Sequence, residues 1–319
     1  MRLVNLILLL IASIFFVWIL NEVGWDTLGH YLWQVGWYWP LLLLPYGVVN
    51  LLESWAWKYI IINPPAKLTV SRLFWLRLGG ESLNQLTPTA SMGGEPFRAA
   101  RLQANGVPLD VASASVVIMK GLLVLSLALY IFAGLALAPV FLPQAAKHML
   151  LLCVAALGLA AAGIAFVVAQ GRGPCGNSFR FLHRRGWLPH FLRDQEGFLE
   201  DLDTAMSQFY CQHPARAALV FCMFFFSWLL QAVEVYIIFW LLGHPISWGL
   251  AVCMDSLAML FTALGFFIPA AMGVQEGGNI LLALGFNLGF ELGAAFSILR
   301  RIREAFWLSL GLLVVWREK

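Results

Sequence analysis

Four basic residues fall within long apolar runs, where a bilayer leaves a charge without water: Lys120, Arg300, Arg301 and Arg303. Lys120 and Arg301 each lie roughly ten residues into their runs, about 15 Å along a helix and near the midplane. A charge there costs roughly 2.5–3.5 kcal/mol on insertion scales, so each needs a partner. Four glutamates recur in the same region: Glu53, Glu95, Glu234 and Glu276. Two chemistries fit. In the first, Lys120 and Arg301, with Arg300 or Arg303, hold an anionic headgroup while the glutamates balance charge or carry coupling protons. In the second, Glu95–Lys120 and Glu276–Arg301 are intramembrane ion pairs that pin broken helices to their neighbours. The two are compatible, since a pinned element that moves must be re-paired. Arg300, Arg303 and Glu304 sit at helical spacing and can also pair among themselves.

These residues repeat. Asn50 and Glu53 precede Gln231 and Glu234 by 181 positions, and the same offset carries Pro88 to Pro269, Ala90 to Ala271, Glu95 to Glu276, Asp110 to Glu291 and Lys120 to Arg301, with no gap. Charges are rare in membrane segments, so several matches at one offset mark an internal repeat. Its unit is span, broken hairpin, span, at 37–138 and again at 221–316. Asp255 has no polar counterpart, because Phe74 stands at its matched position. In the first hairpin, Leu86–Arg101 reads LTPTASMGGEPFRAAR; in the second, Phe267–Asn279 reads FIPAAMGVQEGGN. Pro and Gly break each helix, and Glu95-Pro96 opens a second short one. Helix starts of this kind favour an anion, and irregular backbone at membrane depth implies a polar cavity around it. Glu81 and Asn84, just before the first turn, can line that cavity.

The elements that carry these residues follow from composition. The 319 residues are 61% hydrophobic and 12% charged, with a mean hydropathy of +0.80. A soluble domain runs near 45–50% apolar and about 25% charged, so a water-soluble enzyme is excluded. The fold class expected is an all-α polytopic membrane protein with six full spans and two re-entrant broken hairpins in inverted repeats. The spans are Leu3–Leu20, Trp37–Ile61, Leu109–Ala138, Met149–Val168, Ala215–Leu242 and Glu291–Trp316, and the broken regions are Val70–Asn105 and Ile246–Gly289. Leu3–Leu20 has no small-residue cleavage site after it and reads as an anchor.

Basic residues orient the chain. Lys58, Lys67, Arg72, Arg77, Arg98 and Arg101 cluster after the second span, and Gly171–Arg216 holds six arginines, whereas Asn21–Gly36 holds no Lys or Arg. All clusters share one side if both termini are cytoplasmic and each hairpin returns to its own side. The two repeat units are then oppositely oriented, as in secondary carriers. Within the polar linker at 171–216, Glu196, Glu200, Asp201 and Asp203 alternate with Phe198, Leu199, Leu202 and Met206. That spacing suits an amphipathic helix on the cytoplasmic surface or a solvated linker helix.

Net charge is +3, too small for a nucleic-acid binder, and the five cysteines show no metal spacing. No zinc-protease, serine-hydrolase or P-loop motif occurs, so no cofactor is expected. Trp25, Trp33, Trp37, Trp39, Trp248 and Trp316 read as interfacial belt residues. Against the carrier reading stands an intramembrane transferase acting on a lipid-linked donor, for which Glu22 and Asp26 could supply acid or metal-ligand chemistry. A non-transporting accessory subunit of a lipid-synthesis complex is the third reading.

Asn84, Pro88, Gly94-Glu95 and Arg98, with Pro269, Gly273, Glu276 and the Arg300–Arg303 run, resemble the flippase-like transmembrane family. That family is the transmembrane region of lysylphosphatidylglycerol synthases, the multiple peptide resistance factors, and the chain looks most like its stand-alone members associated with hopanoid biosynthesis. The resemblance implies movement of lipids or lipid-linked molecules across the bacterial inner membrane, without catalysis. The chain stops at Lys319, so the soluble aminoacyl-transferase domain is not expected. The expected substrate-binding set is Glu53, Asn84, Glu95, Arg98, Lys120, Glu234, Glu276, Arg300, Arg301 and Arg303. The expected partners are a membrane lipid, anionic or lipid-linked, lipid-synthesis enzymes, and a second copy of the chain.

Overall fold

The structure, a computed structural model, describes residues 29, 33–86, 93–141, 146–170, 196–264, 268, 271 and 273–318, and the regular elements among them are all helical. The expected first span, Leu3–Leu20, and most of the linker before residue 196 lie outside the described residues. A 3-10 turn (Gly36–Tyr38) leads into α1 (Trp39–Ile60). Then follow α2 (Val70–Leu86), α3 (Gly94–Ala104), α4 (Leu109–Phe141), α5 (Ala146–Gln170) and α6 (Glu196–Gln212). The second half continues with α7 (Pro214–Leu241), α8 (Trp248–Leu264), α9 (Val274–Gly285) and α10 (Phe290–Arg317).

Length separates two kinds of helix. Trp33–Ile60, α4 and α7 are long and apolar enough to cross a bilayer. Helix α10 has 28 residues but carries Arg300, Arg301, Arg303 and Glu304 along its middle. By contrast α2 and α8 have 17 residues each, α3 has 11 and α9 has 12. None reaches the ~20 residues a crossing requires. Both broken regions are thus pairs of short helices. Element boundaries follow the offset seen in the charges: α1 and α7 end at Ile60 and Leu241, α3 and α9 end at Ala104 and Gly285, and α4 and α10 begin at Leu109 and Phe290.

Packing interlocks the halves. Helix α1 lies on α7, while α2 packs on α10 and α8 packs on α4, so each half's first short helix grips the other half's last long one. Without a hydrophobic drive between helices in lipid, close approach depends on small residues. At Gly311 of α10 a Cβ would lie 2.6 Å from the Leu78 carbonyl oxygen of α2. Ser82 donates across the same seam to the Leu308 carbonyl at 3.1 Å. The α4–α8 seam uses Gly134 against Ser256, and the Cys253 thiol donates to the Gly134 carbonyl at 3.4 Å.

Two apolar clusters fill the bundle. One gathers Trp57, Leu73, Leu76, Met119 and Phe224; the other gathers Leu42, Val235, Met254, Phe296 and Leu299. The outside is apolar too. Leu44, Val48, Leu51 and Trp55 are exposed at spacings of three and four, which turns one stripe of α1 outward as a lipid-facing surface. Helix α6 is amphipathic as its spacing predicts, and its apolar face rests on protein: Leu202, Met206 and Phe209 are buried against α4 and α7. Tyr210 secures it by donating to Gln170 Oε1 at 2.7 Å, and burial pushes the phenol above its ordinary pKa, which keeps it a donor.

Candidate functional site: two buried ion-pair networks

In the first half, a repeating polar line on α1 meets a polar stripe on α2. Asn50 uses its amide N–H on the Tyr46 carbonyl at 2.9 Å, which leaves its oxygen for Arg77. The Arg77 guanidinium also pairs with Glu53, and Ser227 from α7 donates to the same carboxylate at 2.9 Å. Arg77 was counted above with surface basic residues as an orientation signal. It is 6% exposed and belongs to the interior, as does Arg98 at 2%. Both come off that count; Lys58, Lys67, Arg72 and Arg101 remain.

Helix α3 supplies Glu95 and Arg98. Gly80 and Gly94 let it approach α2 so closely that a Cβ on Gly94 would lie 2.8 Å from the Gly80 Cα. Asn84 ties the two helices by accepting the Gly94 N–H at 2.7 Å and donating to Glu95 Oε1 at 3.2 Å. Arg98 donates to the Arg77 carbonyl at 3.0 Å and to Glu81 Oε2 at 3.3 Å, and lies 3.6 Å from Glu95. Lys120 of α4 reaches Glu95 Oε1 at 3.3 Å. Three carboxylates thus face three cations.

The second half builds its network differently. Arg303 donates to Glu234 Oε1 at 3.0 Å, and Arg300 Nε lies 3.8 Å from the same oxygen. Arg300 also pairs with Asp255 of α8, whose other oxygen accepts from the Tyr130 hydroxyl of α4 at 3.0 Å. Arg301 pairs with Glu276 of α9 and, at 2.8 Å, with Glu304. Gln275 donates to Glu304 at 2.9 Å, and Glu276 Oε2 caps α9 by accepting the Gly273 N–H at 2.7 Å. Here four carboxylates face three cations. Near-complete pairing is what makes so many charges tolerable in an apolar bundle.

Both pairs expected from the offset, Glu95–Lys120 and Glu276–Arg301, are present. Access divides the cations. The Lys120 and Arg301 side chains are 32% and 17% exposed. Those of Arg98, Arg300 and Arg303 are 3% exposed or less. Among the expected binding residues, the two accessible cations are therefore the two at matched positions. The structure adds Arg77, Glu81, Asp255, Glu304 and Tyr130 to the networks. Pro88 and Pro269, and Glu22 and Asp26 of the transferase reading, lie outside the described residues.

The sequence profile of the lysylphosphatidylglycerol synthase TM region matches residues 5–311, nearly the whole chain. The chain belongs to that family. This member is an all-α polytopic membrane protein with a lipid-related role. No curated protein and no solved structure gave a match.

Proposed function

We propose that the protein carries a lipid or lipid-linked molecule between leaflets of the bacterial inner membrane, with both termini cytoplasmic, and that it performs no covalent chemistry. A phosphate-bearing headgroup displaces Glu95 from Lys120 and Glu276 from Arg301 in turn, while the acyl or isoprenoid chains stay in the bilayer. One observation carries this reading: the only expected binding cations with open side chains are those at matched positions, each held by a glutamate on a short broken helix. An incoming anion can reach these two cations and take the place of the glutamate, so neither charge is left unpaired during the exchange. The sealed pairs around Arg77, Arg300 and Arg303 act as the frame. With the two halves oppositely oriented, exchanging their conformations moves the opening from one leaflet to the other.

Reconstitution tests it. The purified protein in liposomes should speed leaflet exchange of a labelled phosphatidylglycerol above that of protein-free liposomes, and Lys120→Ala and Arg301→Ala should each abolish the gain. Unchanged rates in both variants overturn the headgroup role. Recovery of a chemically altered lipid from the same incubation would replace the carrier with a transferase.

A further inference from the structure

Away from both networks, the end of α1 and the start of α7 enclose a cavity of about 290 Å³ lined by Trp55, Lys58, Tyr59, Ile61, Pro64 and Arg216. Lys58 lies in the last turn of α1 and Arg216 in the first turn of α7. Neither meets a carboxylate among the described residues, although every cation of the two networks does. Two unneutralised cations in one concave site favour a dianion or a phosphodiester with nothing beside it to cancel its charge. The α7 start adds backbone N–H groups that have no carbonyl partner within the helix.

Position selects the ligand further. Trp55 and Tyr59 stand one turn apart, 51% and 38% exposed, at the end of a long apolar helix. Rings with an apolar body and a polar tip settle at headgroup depth. Below Trp55 the exposed stripe of Leu51, Val48 and Leu44 continues toward the bilayer centre. A phospholipid could thus lay its acyl chains along α1 with its phosphate at Lys58 and Arg216. A free solute anion would use the cations but not the stripe.

We infer that this cavity is a binding site for the headgroup of one anionic phospholipid, held by Lys58 and Arg216 at the membrane face where α1 ends. The site is separate from the Lys120 and Arg301 pairs and does not depend on the carrier reading. Native mass spectrometry of the detergent-purified full chain measures it, with dioleoyl phosphatidylglycerol, dioleoyl phosphatidylcholine and inorganic phosphate as probes. Wild type should retain one phosphatidylglycerol in preference to phosphatidylcholine. Lys58→Gln/Arg216→Gln should weaken that lipid about thirtyfold, one surface-charge interaction for each residue, and leave phosphatidylcholine unchanged. Lys58→Arg/Arg216→Lys, which keeps both charges, should retain binding, and the single Arg216→Gln change at an exposed position should lose about fivefold. Equal phosphatidylglycerol retention in wild type and the double glutamine variant would overturn the site. Displacement of the lipid by millimolar inorganic phosphate would overturn its assignment to a phospholipid. Leaflet exchange measured on the same double variant reports on the carrier reading separately.

Discussion

Removing Asp255 should damage the protein more than its lone carboxylate suggests. Asp255 and Arg300 are both fully buried, and among the described residues Arg300 has one other carboxylate in reach, Glu234 at 3.8 Å. That oxygen already accepts from Arg303 at 3.0 Å. Asp255→Leu therefore leaves Arg300 to share Glu234 with Arg303, which also has Glu304 at 4.0 Å, and strips the Tyr130 hydroxyl of its acceptor. Breaking one side of a buried pair costs about 3–5 kcal/mol, because the surviving charge stays desolvated. Arg300→Met should cost a similar amount, with Asp255 left facing Tyr130 alone. The double variant removes both charges, keeps Glu234 with Arg303, and should lose only the orphaned Tyr130 bond, about 1–3 kcal/mol. Unfolding in detergent micelles, followed by circular dichroism across a denaturant series, gives all three values and the coupling between them. Single losses under about 1 kcal/mol, or a double variant as unstable as the sum of the singles, would refute the ion-pair account.

Three further outcomes use the same assay. Trp228 donates to Ser126 Oγ at 3.1 Å, whereas the buried Trp307 N–H has no partner among the described residues, so Trp228→Phe should cost about 1 kcal/mol more than Trp307→Phe. Gly311→Ala places a Cβ 2.6 Å from the Leu78 carbonyl oxygen and should destabilise the α2–α10 seam by about 1–3 kcal/mol. Gly158→Ala on α5, where a Cβ meets nothing within 4 Å among the described residues, should be neutral or stabilising by up to about 1 kcal/mol. Equal costs for the two tryptophans, or for the two glycines, would show that these contacts do not govern packing.

Much of this architecture was legible because scarcity made it so. Proline, glycine and charge interrupt apolar runs only where something specific happens, and the α1, α3 and α4 boundaries return 181 residues later in α7, α9 and α10. The Glu95–Lys120 and Glu276–Arg301 pairs were readable for the same reason. The repeat also misled. It gave Asp255 no counterpart and so no weight, yet Asp255 anchors Arg300. A single acid in an otherwise uncharged α8 is itself a demand for a buried cation. Arg77 was hidden by its neighbours, the basic residues that follow α1. Its signal was helical: Leu73, Arg77, Gly80 and Asn84 share one buried stripe of α2 at spacings of three and four. Pairings that cross between helices without repeating, such as Glu53–Arg77 and Tyr130–Asp255, leave no trace in the offset.

Two functions of charge coexist in these networks, framing and exchange, and the accessible pairs are where they separate. Replacing Glu95 and Lys120 together by glutamine keeps a hydrogen-bonded contact between α3 and α4 while removing the cation. Neutralising both partners together leaves no lone charge between them, and Arg98 keeps Glu81 at 3.3 Å, so the fold survives. The deciding measurement is the initial rate of phosphatidylglycerol leaflet exchange in liposomes carrying Glu95→Gln/Lys120→Gln. A carrier that grips an anionic headgroup at Lys120 should fall to the protein-free rate. Exchange at the wild-type rate would contradict that claim and leave the pair as a structural pin alone.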